Sequence, residues 1–293
     1  MKMIDIDKIK GKKSAKELLE FGIININKPS GPTSFDVSDL VRKILGMRKT
    51  SHFGTLDPKV TGVLPIALNR ACKLTGFFLG EDKEYVGIMA IHGEISIEKL
   101  KEAVKKFTGK IMQKPPVKSR VARVEREREV KSFEILEIGE KGTEILFRAE
   151  VQGGTYIRKL VHDLGENLGV GAHMLELRRT RAGIFREEKS VNLYELEKAA
   201  GEYKNGDEES LISMISPGEV ISELYPVVQI KEESASRILQ GQPVYEKNLV
   251  NNGNFNKDDK VSVFSEEKFI GVFKVVKEGM VFARPEFVLQ PIK

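Results

Sequence analysis

The sequence has only one cysteine, no tryptophan and no long apolar segment. The single Cys72 excludes an internal disulfide and a cysteine-based zinc site, which favours a reducing compartment. No apolar run approaches the roughly 20 residues that a membrane-spanning helix needs, and residues 1–5 lack the apolar core of a signal peptide. The sequence therefore predicts a cytoplasmic protein that does not associate with a membrane.

Common signatures of nucleotide-binding and metal-binding proteins are also missing. The chain lacks the glycine-lysine phosphate loop, the dinucleotide-binding glycine fingerprint and any His-Glu-x-x-His pair. Its four histidines (His52, His92, His162 and His173) are scattered along the sequence and are not spaced as a ligand set. We therefore expect this protein to hold no metal.

What the chain does contain is a moderate excess of basic residues. It has 48 lysines and arginines against 43 aspartates and glutamates, a net charge of +5 and a pI near 9.0. This balance favours a polyanionic partner. Basic residues cluster at positions 8–16, 42–49 and 114–128 and at Arg178, Arg179 and Arg181. From 123 to 129 they alternate with other residues, mostly glutamates, a pattern as typical of a solvated face as of a phosphate contact.

Residue periodicity predicts a chain in which helices and strands are mixed. An apolar stripe with helical spacing follows Ser34 or Asp36, either of which can cap it, and ends at Gly46. A second such stripe follows Thr155, another candidate cap. The other expected elements are a helix at 96–107 and strands at 23–27, 85–91, 130–138 and 143–151, the last two forming a hairpin.

The pattern changes in the last third of the chain. The acidic, weakly patterned stretch 201–209 resembles a surface linker. Short strands separated by turns are then expected at 227–230, 261–264, 269–276 and 280–283. This pattern predicts a second, small β-barrel domain that begins near Leu224.

The most informative stretch is the polar loop at 52–62, which presents Asp57 between Gly54 and Gly62. The glycines let the backbone turn or approach a ligand closely, and Pro58 fixes the chain just after the aspartate. An isolated Asp-Pro pair is more often an ordinary turn. The length of the surrounding motif instead favours a catalytic loop that aims the carboxylate of Asp57.

Five motifs follow one another along the chain, at residues 28–34, 54–65, 83–85, 154–158 and 175–181. In sequence and in order they resemble the motifs of the TruB/dyskerin branch of RNA pseudouridine synthases. The resemblance covers nearly the whole chain and implies an α+β fold. It comprises a catalytic domain with a mixed, largely antiparallel sheet and flanking helices, and a small C-terminal β-barrel that resembles a PUA domain.

The resemblance also implies the domain boundaries and the activity. The catalytic domain would span residues 1–223, with an N-terminal extension at 1–20, and the PUA-like RNA-binding domain would span 224–293. The activity would be the isomerisation of specific uridines in RNA to pseudouridine, a reaction that needs no cofactor.

Each site residue receives a role by the same resemblance. Asp57 would be the nucleophile, and Arg158 would keep its carboxylate ionised inside a dry pocket. Tyr85 would be the stacking platform for the flipped uridine, although a strand tyrosine taken alone is more often part of a core. Tyr156 would hydrogen-bond near Asp57 and handle the proton at C5 of the base. Leu177 would form the apolar wall of the pocket.

Two further residues are candidates for contact with RNA. Lys28 would brace the catalytic loop or touch a phosphate. His52 would insert next to the flipped nucleotide in relatives that work without a guide, and a surface histidine is an equally good interpretation.

The short connections at 91–116 and 169–181 are closer to archaeal dyskerin-like enzymes of H/ACA ribonucleoproteins than to bacterial tRNA pseudouridine-55 synthases. This branch implies ribosomal RNA as substrate, with tRNA uridine-55 as a further target. It also implies an H/ACA guide RNA and small protein subunits as partners. An autonomous tRNA pseudouridine-55 synthase is the alternative, and a non-catalytic RNA-binding scaffold with a PUA domain is a third interpretation.

Overall fold

A computed structural model describes residues 4–115, 122–140, 142–251 and 253–290, so part of the predicted basic cluster at 114–128 lies outside the described residues. The helices are α1 (Ile6–Gly11), α2 (Ala15–Glu20), α3 (Ser34–Ile44), α4 (Thr75–Leu79), α5 (Ile97–Lys106), α6 (Ile157–Leu168), α7 (Leu193–Lys204), α8 (Glu209–Met214) and α9 (Glu232–Leu239). The strands are β1 (Gly22–Lys28), β2 (Thr50–His52), β3 (Thr61–Leu68), β4 (Lys83–Ile91), β5 (Gly109–Gln113), β6 (Arg126–Ile138), β7 (Glu144–Val151), β8 (Ala172–Ala182), β9 (Phe185–Arg186), β10 (Ile215–Pro217), β11 (Val227–Gln229), β12 (Val244–Tyr245), β13 (Lys260–Ser265), β14 (Lys268–Glu278) and β15 (Val281–Val288). Within those ranges, no helix is both long and apolar enough to cross a membrane.

Contacts divide the chain into two compact units. One is the central unit, residues 24–214, and the other consists of the described residues of both chain ends, up to Ile23 and from Ile215. By contacts, the N-terminal extension therefore belongs with the C-terminal residues and not with the central unit. The functional boundary at Leu224 stays a prediction.

The central unit is built on a mixed sheet. Its strands follow the order β1-β3-β8-β4-β7-β6-β5, with β2 paired to β3 and β9 paired to β8. β3 and β8 run parallel, whereas β4 is antiparallel to both β8 and β7, and β6 is antiparallel to both β7 and β5. The mixed, largely antiparallel sheet is therefore confirmed, and the predicted hairpin is formed by β6 and β7.

Helix α6 packs against strand β8 in this unit. Its apolar stripe is buried, as the periodicity predicts, through Leu160, Val161 and Leu164. A helix with one apolar face gains most of its stability from burying that face against a sheet or another helix. The helix is thereby held firmly enough to orient the side chains of its first turn.

Two helix starts differ from the sequence predictions. Thr33 caps α3 by accepting from the backbone N–H of Asp36, whose carboxylate accepts from the backbone N–H of Thr33 in return. Ser34 is consequently free to bond elsewhere. The N-cap of α6 is Tyr156, which makes no side-chain capping bond, so the prediction that Thr155 caps it is wrong.

The stretch 201–209, predicted to be a surface linker, is a linker only at 205–208. Its first residues complete α7, and Glu209 begins α8, which packs against α7. Asp207 and Glu209 are exposed, whereas Leu196, Ala199 and Leu211 are buried. The sparse apolar positions are therefore sufficient for a helix because they lie on one face.

The C-terminal part of the second unit is a small β structure, as the sequence predicts. Its strands follow the order β11-β13-β14-β15-β12 and curl into a half-barrel. Val261, Val263, Phe273 and Val275 lie in its core. Helix α9, which the strand pattern did not predict, also contributes buried residues to this core.

Residues before β1 are attached to this unit by an apolar and an ionic contact. The Phe21 ring stacks on Phe269 with a centroid separation of 5.9 Å. The Lys13 ammonium lies 2.6 Å from the carboxylate of the buried Glu219. The N-terminal extension is therefore part of the fold of this unit.

Two helical glycines give a matched test of this packing. A Cβ at Gly165 in α6 would lie 2.1 Å from the backbone N of Ala172, whereas a Cβ at Gly201 in α7 would meet nothing within 4 Å. We expect Gly165→Ala to lower the free energy of unfolding by about 1–3 kcal/mol through overpacking. Gly201→Ala should raise it by about 0.5–1 kcal/mol because alanine favours the helix. Urea unfolding followed by circular dichroism measures both, and equal effects would contradict the close approach at Gly165.

Candidate active site

The Asp57 loop connects β2 to β3 and is held by hydrogen bonds from the buried Lys28 side chain. The Lys28 ammonium donates to the backbone carbonyls of Pro29, Pro58 and Val60, at 2.8, 2.9 and 2.9 Å. Its side chain is fully buried, and this burial lowers the pKa of Lys28, an effect that the nearby Asp57 carboxylate opposes. Lys28 therefore braces the loop, and in this conformation its ammonium is not accessible to a phosphate.

Ser34 holds the loop one residue before the aspartate. The Ser34 hydroxyl accepts from the backbone N–H of Leu56 at 2.8 Å and donates to the Leu56 carbonyl at 2.9 Å. The backbone N–H of Gly31 donates to the carbonyl of Pro58 at 2.9 Å. The motif at 28–34 therefore fixes the backbone on both sides of Asp57.

Arg179 on β8 holds the loop from the opposite side. Its guanidinium donates to the carbonyls of Val63, at 2.7 Å, and Gly54, at 3.1 Å, and it is only 1% exposed. Gly62 pairs with Arg179 across the parallel strands, and a Cβ at Gly62 would lie 2.2 Å from the Arg179 carbonyl oxygen. Only glycine, which also tolerates the positive φ of 97° there, permits this close approach. The second glycine of the motif is therefore a packing requirement.

Asp57 and Arg158 meet as the family resemblance implies. The Arg158 guanidinium lies 2.7 Å from the Asp57 carboxylate, and the two side chains are 60% and 48% exposed. The expected dry pocket is therefore absent from this conformation, and the ion pair is open to water. An exposed pair of this kind contributes at most about 1 kcal/mol to stability. The pair matters because it places a cation next to the Asp57 carboxylate, not because it stabilises the fold.

Tyr156 is fixed through its backbone by a residue that the sequence did not reveal. The side-chain amide of Gln113, at the end of β5, accepts from the Tyr156 N–H at 3.0 Å and donates to its carbonyl at 3.2 Å. Gln113 is 2% exposed. The only signal for it is a polar residue at a strand end. Its amide holds the residue at which α6 begins and so positions the segment that carries Tyr156 and Arg158.

A small cavity opens beside this segment. It has a volume of about 100 Å³ and is lined by Gln113, Pro115, Arg126, Arg128, Gly154 and Tyr156. The Arg128 guanidinium donates to the Gly154 carbonyl at 3.2 Å. The alternating basic residues of β6 therefore include one side chain that positions the motif at 154–158.

Tyr85 and Leu177 lie on the adjacent strands β4 and β8. Tyr85 is paired with Arg179, and Gly87 is paired with Leu177. Since paired residues share a face and every second residue returns to it, Tyr85, Leu177 and Arg179 point to the same side of the sheet. That is the side on which Arg179 contacts the Asp57 loop. Tyr85 and Leu177 are each only 8% exposed.

His52 lies at the end of β2 and is half-buried. Its Nε2 is 3.2 Å from the hydroxyl of Thr55. Burial, and secondarily the positive charge of Arg179, lower the pKa of His52. The surroundings of His52 therefore favour the neutral ring, which contacts the Asp57 loop through Thr55.

The basic cluster at 178–181 makes internal contacts. Arg178 donates to Thr61, at 3.1 Å, and Asn27, at 3.0 Å, and also pairs with Glu187. Arg181 lies 2.8 Å from Glu150. Together with the buried Arg179, these arginines bind neighbouring strands to one another, so the cluster is not a free phosphate-binding surface.

Family models match the chain along most of its length. Residues 42–157 match the TruB family pseudouridylate synthase (N terminal domain), and residues 158–222 match the tRNA pseudouridylate synthase B C-terminal domain. Residues 226–284 match the model described as Pseudouridine synthase II TruB, C-terminal.

Curated relatives and solved structures agree with these matches. A protein of Methanopyrus kandleri named Probable tRNA pseudouridine synthase B is 43% identical over 92% of this chain and 80% of its own length. A Pyrococcus abyssi protein of the same name is 42% identical over 84% and 74%. The chain in "Crystal Structure of a Cbf5-Nop10-Gar1 Complex" is 37% identical, with a TM-score of 0.89 over 96% of this chain and 89% of that one. The chain in "Structure of H/ACA RNP bound to a substrate RNA containing 2'-deoxyuridine" is 35% identical, with a TM-score of 0.87 over 96% and 89%.

The fold and the family matches define a pseudouridine synthase, which is an isomerase. More narrowly, the chain belongs to the TruB family, and its structure closely matches that of Cbf5.

Lys83, on β4 in the motif at 83–85, is a further buried cation near the loop. Its ammonium donates to the carbonyls of Leu79, at 2.8 Å, and Phe78, at 3.4 Å, near the end of α4. Its Cε lies 3.8 Å from where a Cβ of Gly54 would be. Burial, helped by the charge of Arg179, lowers the pKa of Lys83 from 10.5 to about 8.

This lowered pKa predicts a specific pH dependence. Between pH 8 and 10.5 the unfolded chain keeps the proton on Lys83 while the folded chain has lost it, so the contribution of Lys83 to stability rises with pH. We expect the unfolding free energy of the wild type, minus that of Lys83→Met, to rise by up to about 3 kcal/mol across this window. Denaturant unfolding at pH 7, 8.5 and 10 measures the difference. A difference that stays flat or falls would contradict the buried charge.

Proposed function

We propose that Asp57 is the carboxylate with which this enzyme isomerises uridine in RNA. The reaction breaks the bond between N1 of the base and C1′ of the ribose and joins C5 of the base to C1′. C5 then loses its proton and N1 gains one, so the atoms balance without a consumed cofactor. A carboxylate is a suitable covalent or electrostatic partner for the electron-poor C1′. The observation that carries the proposal is the Asp57–Arg158 pair at 2.7 Å on a loop fixed by buried hydrogen bonds.

The pocket residues have complementary roles in this proposal. A uridine must leave its helix to reach the loop, which costs a few kcal/mol of unstacking. The Tyr85 ring offsets part of this cost by stacking on the base, and Leu177, on the same face of the sheet, provides an apolar wall. Tyr156 hydrogen-bonds near Asp57 and handles the proton at C5. Arg158 lies beside the carboxylate in the free enzyme and keeps it ionised once RNA excludes water.

The two RNA-binding candidates act differently. Lys28 positions the Asp57 loop and does not contact RNA, because its ammonium already donates to three backbone carbonyls. His52 lies at the edge of the loop in surroundings that favour the uncharged ring, and this favours a contact with the flipped nucleotide or its neighbour over a phosphate contact.

We further propose that the enzyme works in the cytoplasm within an H/ACA ribonucleoprotein on ribosomal RNA, with tRNA uridine-55 as a second target. The match to chains solved with Nop10 and Gar1, and in an H/ACA RNP bound to substrate RNA, supports guide RNA and small protein subunits as partners. The curated relatives are named Probable tRNA pseudouridine synthase B, and this name supports tRNA as a substrate, as in the alternative of an autonomous tRNA pseudouridine-55 synthase. A non-catalytic scaffold is the least supported, because Asp57 pairs with Arg158 and because Tyr85 and Leu177 share one face of the sheet.

The second unit is the proposed holder of the guide RNA. Its half-barrel suits the PUA-like interpretation. Lys268 and Lys277 on its strand β14 are exposed and supply positive charge for an RNA backbone, whereas Lys260, Lys274 and Arg284 pair with neighbouring carboxylates.

The central test is Asp57→Asn, which removes the charge but nearly preserves the shape of the side chain. We expect turnover to fall by about 10⁴-fold or more, with RNA affinity largely unchanged. Tritium release from RNA labelled at C5 of uridine, using a tRNA transcript alone and a guide-plus-target pair, measures turnover and separates guided from autonomous action. Asp39→Asn is the matched control, because Asp39 pairs with Arg42 and Lys43 on α3. If Asp57→Asn lost RNA binding together with activity, the aspartate would be structural.

The role of the second unit predicts a loss of guide affinity in a chain reduced to residues 24–214. Both ends must be removed together, because residues up to Ile23 pack with those from Ile215. We expect the affinity for an H/ACA guide RNA to fall about tenfold or more as phosphate contacts are lost, while the circular dichroism spectrum of the central unit is retained. Fluorescence anisotropy at fixed salt measures the affinity. Unchanged guide affinity would assign guide binding to the central unit.

A further inference from the structure

Two histidines that are 81 residues apart in sequence meet at one end of the central sheet. The Nε2 of His92 lies 2.6 Å from the Nδ1 of His173, and the ring centroids are 4.9 Å apart with an interplanar angle of 45°. Both residues are exposed. Neither belongs to the family motifs or to the candidate active site.

The backbone holds the two rings in this arrangement. His92 directly follows β4, and its N–H donates to the carbonyl of Gly171 at 3.1 Å. Gly171 has a φ of 74°, and a Cβ there would lie 3.0 Å from the Nδ1 of His92. His173 lies on β8 opposite Ala90 of β4. The backbone of each histidine is thus anchored by strand pairing or by a neighbouring backbone bond, and only the side-chain rotamers remain to be ordered when a shared ligand binds.

We propose that His92 and His173 form a two-ligand site for a divalent transition metal such as Zn²⁺ or Ni²⁺. Neutral imidazole is a preferred ligand of both ions. Bonds from zinc to nitrogen of about 2.0–2.1 Å place two ligating nitrogens about 3 Å apart, so a small rotation of the rings makes room for the ion. The metal binds Nε2 of His92 and Nδ1 of His173 with both rings neutral. The ring whose N–H lies between these two atoms in the hydrogen-bonded pair takes its other tautomer, so its proton moves by way of water to its outer nitrogen and both facing nitrogens offer lone pairs.

The site is open, and the bound metal is exchangeable. In the part of the chain that the structure describes, no group of three or more His, Cys, Asp or Glu side chains is arranged to hold a metal. Water therefore completes the coordination sphere, unlike the closed sphere of a structural zinc site. His173 precedes Leu177 by four residues on β8, about 13 Å along a strand. The metal site is consequently separate from the uridine pocket, and its occupancy is independent of the proposed catalytic residues.

The four histidines of the chain make the test selective. We would titrate the full-length, untagged, chelator-treated and ¹⁵N-labelled protein with ZnCl₂ and follow the imidazole nitrogens by NMR. The expected result is that Nε2 of His92 and Nδ1 of His173 shift together at a stoichiometry of one, while the signals of His52 and His162 do not. Calorimetry should show that His92→Gln and His173→Gln each weaken Zn²⁺ binding by about tenfold or more, because a second ligand on the same scaffold acts at high effective concentration.

His162→Gln is the matched control, since His162 is an exposed histidine on α6 that lies outside the pair. It should bind Zn²⁺ as the wild type does and should remain equally well retained on immobilised Ni²⁺. Either of two results would overturn the proposal. One is that the wild type shows no shift of the His92 and His173 nitrogens at millimolar Zn²⁺, which would leave only a hydrogen-bonded pair. The other is that His162→Gln reduces binding as much as His92→Gln does.

Discussion

Burial of the Lys28 ammonium beneath the Asp57 loop is the interaction on which the site depends. Removing a lysine from water is costly, and it is tolerated here because three backbone carbonyls surround the Nζ. Two of those carbonyls, from Pro58 and Val60, belong to the loop itself and are held in place by the same ammonium. The backbone at Asp57 is therefore positioned by a buried group that never needs to touch the substrate.

Two more buried cations, Lys83 and Arg179, lie on the other side of the loop and likewise bond to backbone carbonyls. Burial, with a smaller contribution from the charge of Arg179, lowers the pKa of Lys83 to about 8. The positive potential of the two cations is favourable for a carboxylate and for the phosphates of an approaching RNA. The same cations thus stabilise the loop through hydrogen bonds and create a positive potential that attracts an anion.

Because the Asp57–Arg158 pair is exposed to water, the arrangement of the two side chains depends on the backbone that carries them. In water such a pair is too weak to set a geometry. The geometry comes instead from Ser34 and Gln113, which fix the backbones that carry the two charged side chains. A bound nucleotide that excluded water would strengthen the pair without having to build it. The site in the free protein is accordingly accessible and already arranged.

The sequence by itself determined the family, through motifs that are read residue by residue, and most of the strands and helices, through local periodicity. The catalytic role of Asp57 stays a proposal. The sequence did not distinguish a bracing Lys28 from a phosphate-binding one, and it assigned the cap of α6 to Thr155. Only the tertiary structure decided that Gln113 supports Tyr156 and that the scattered His92 and His173 become neighbours. Such contacts join residues far apart in the chain, and they follow from strand order and register, which local periodicity does not encode.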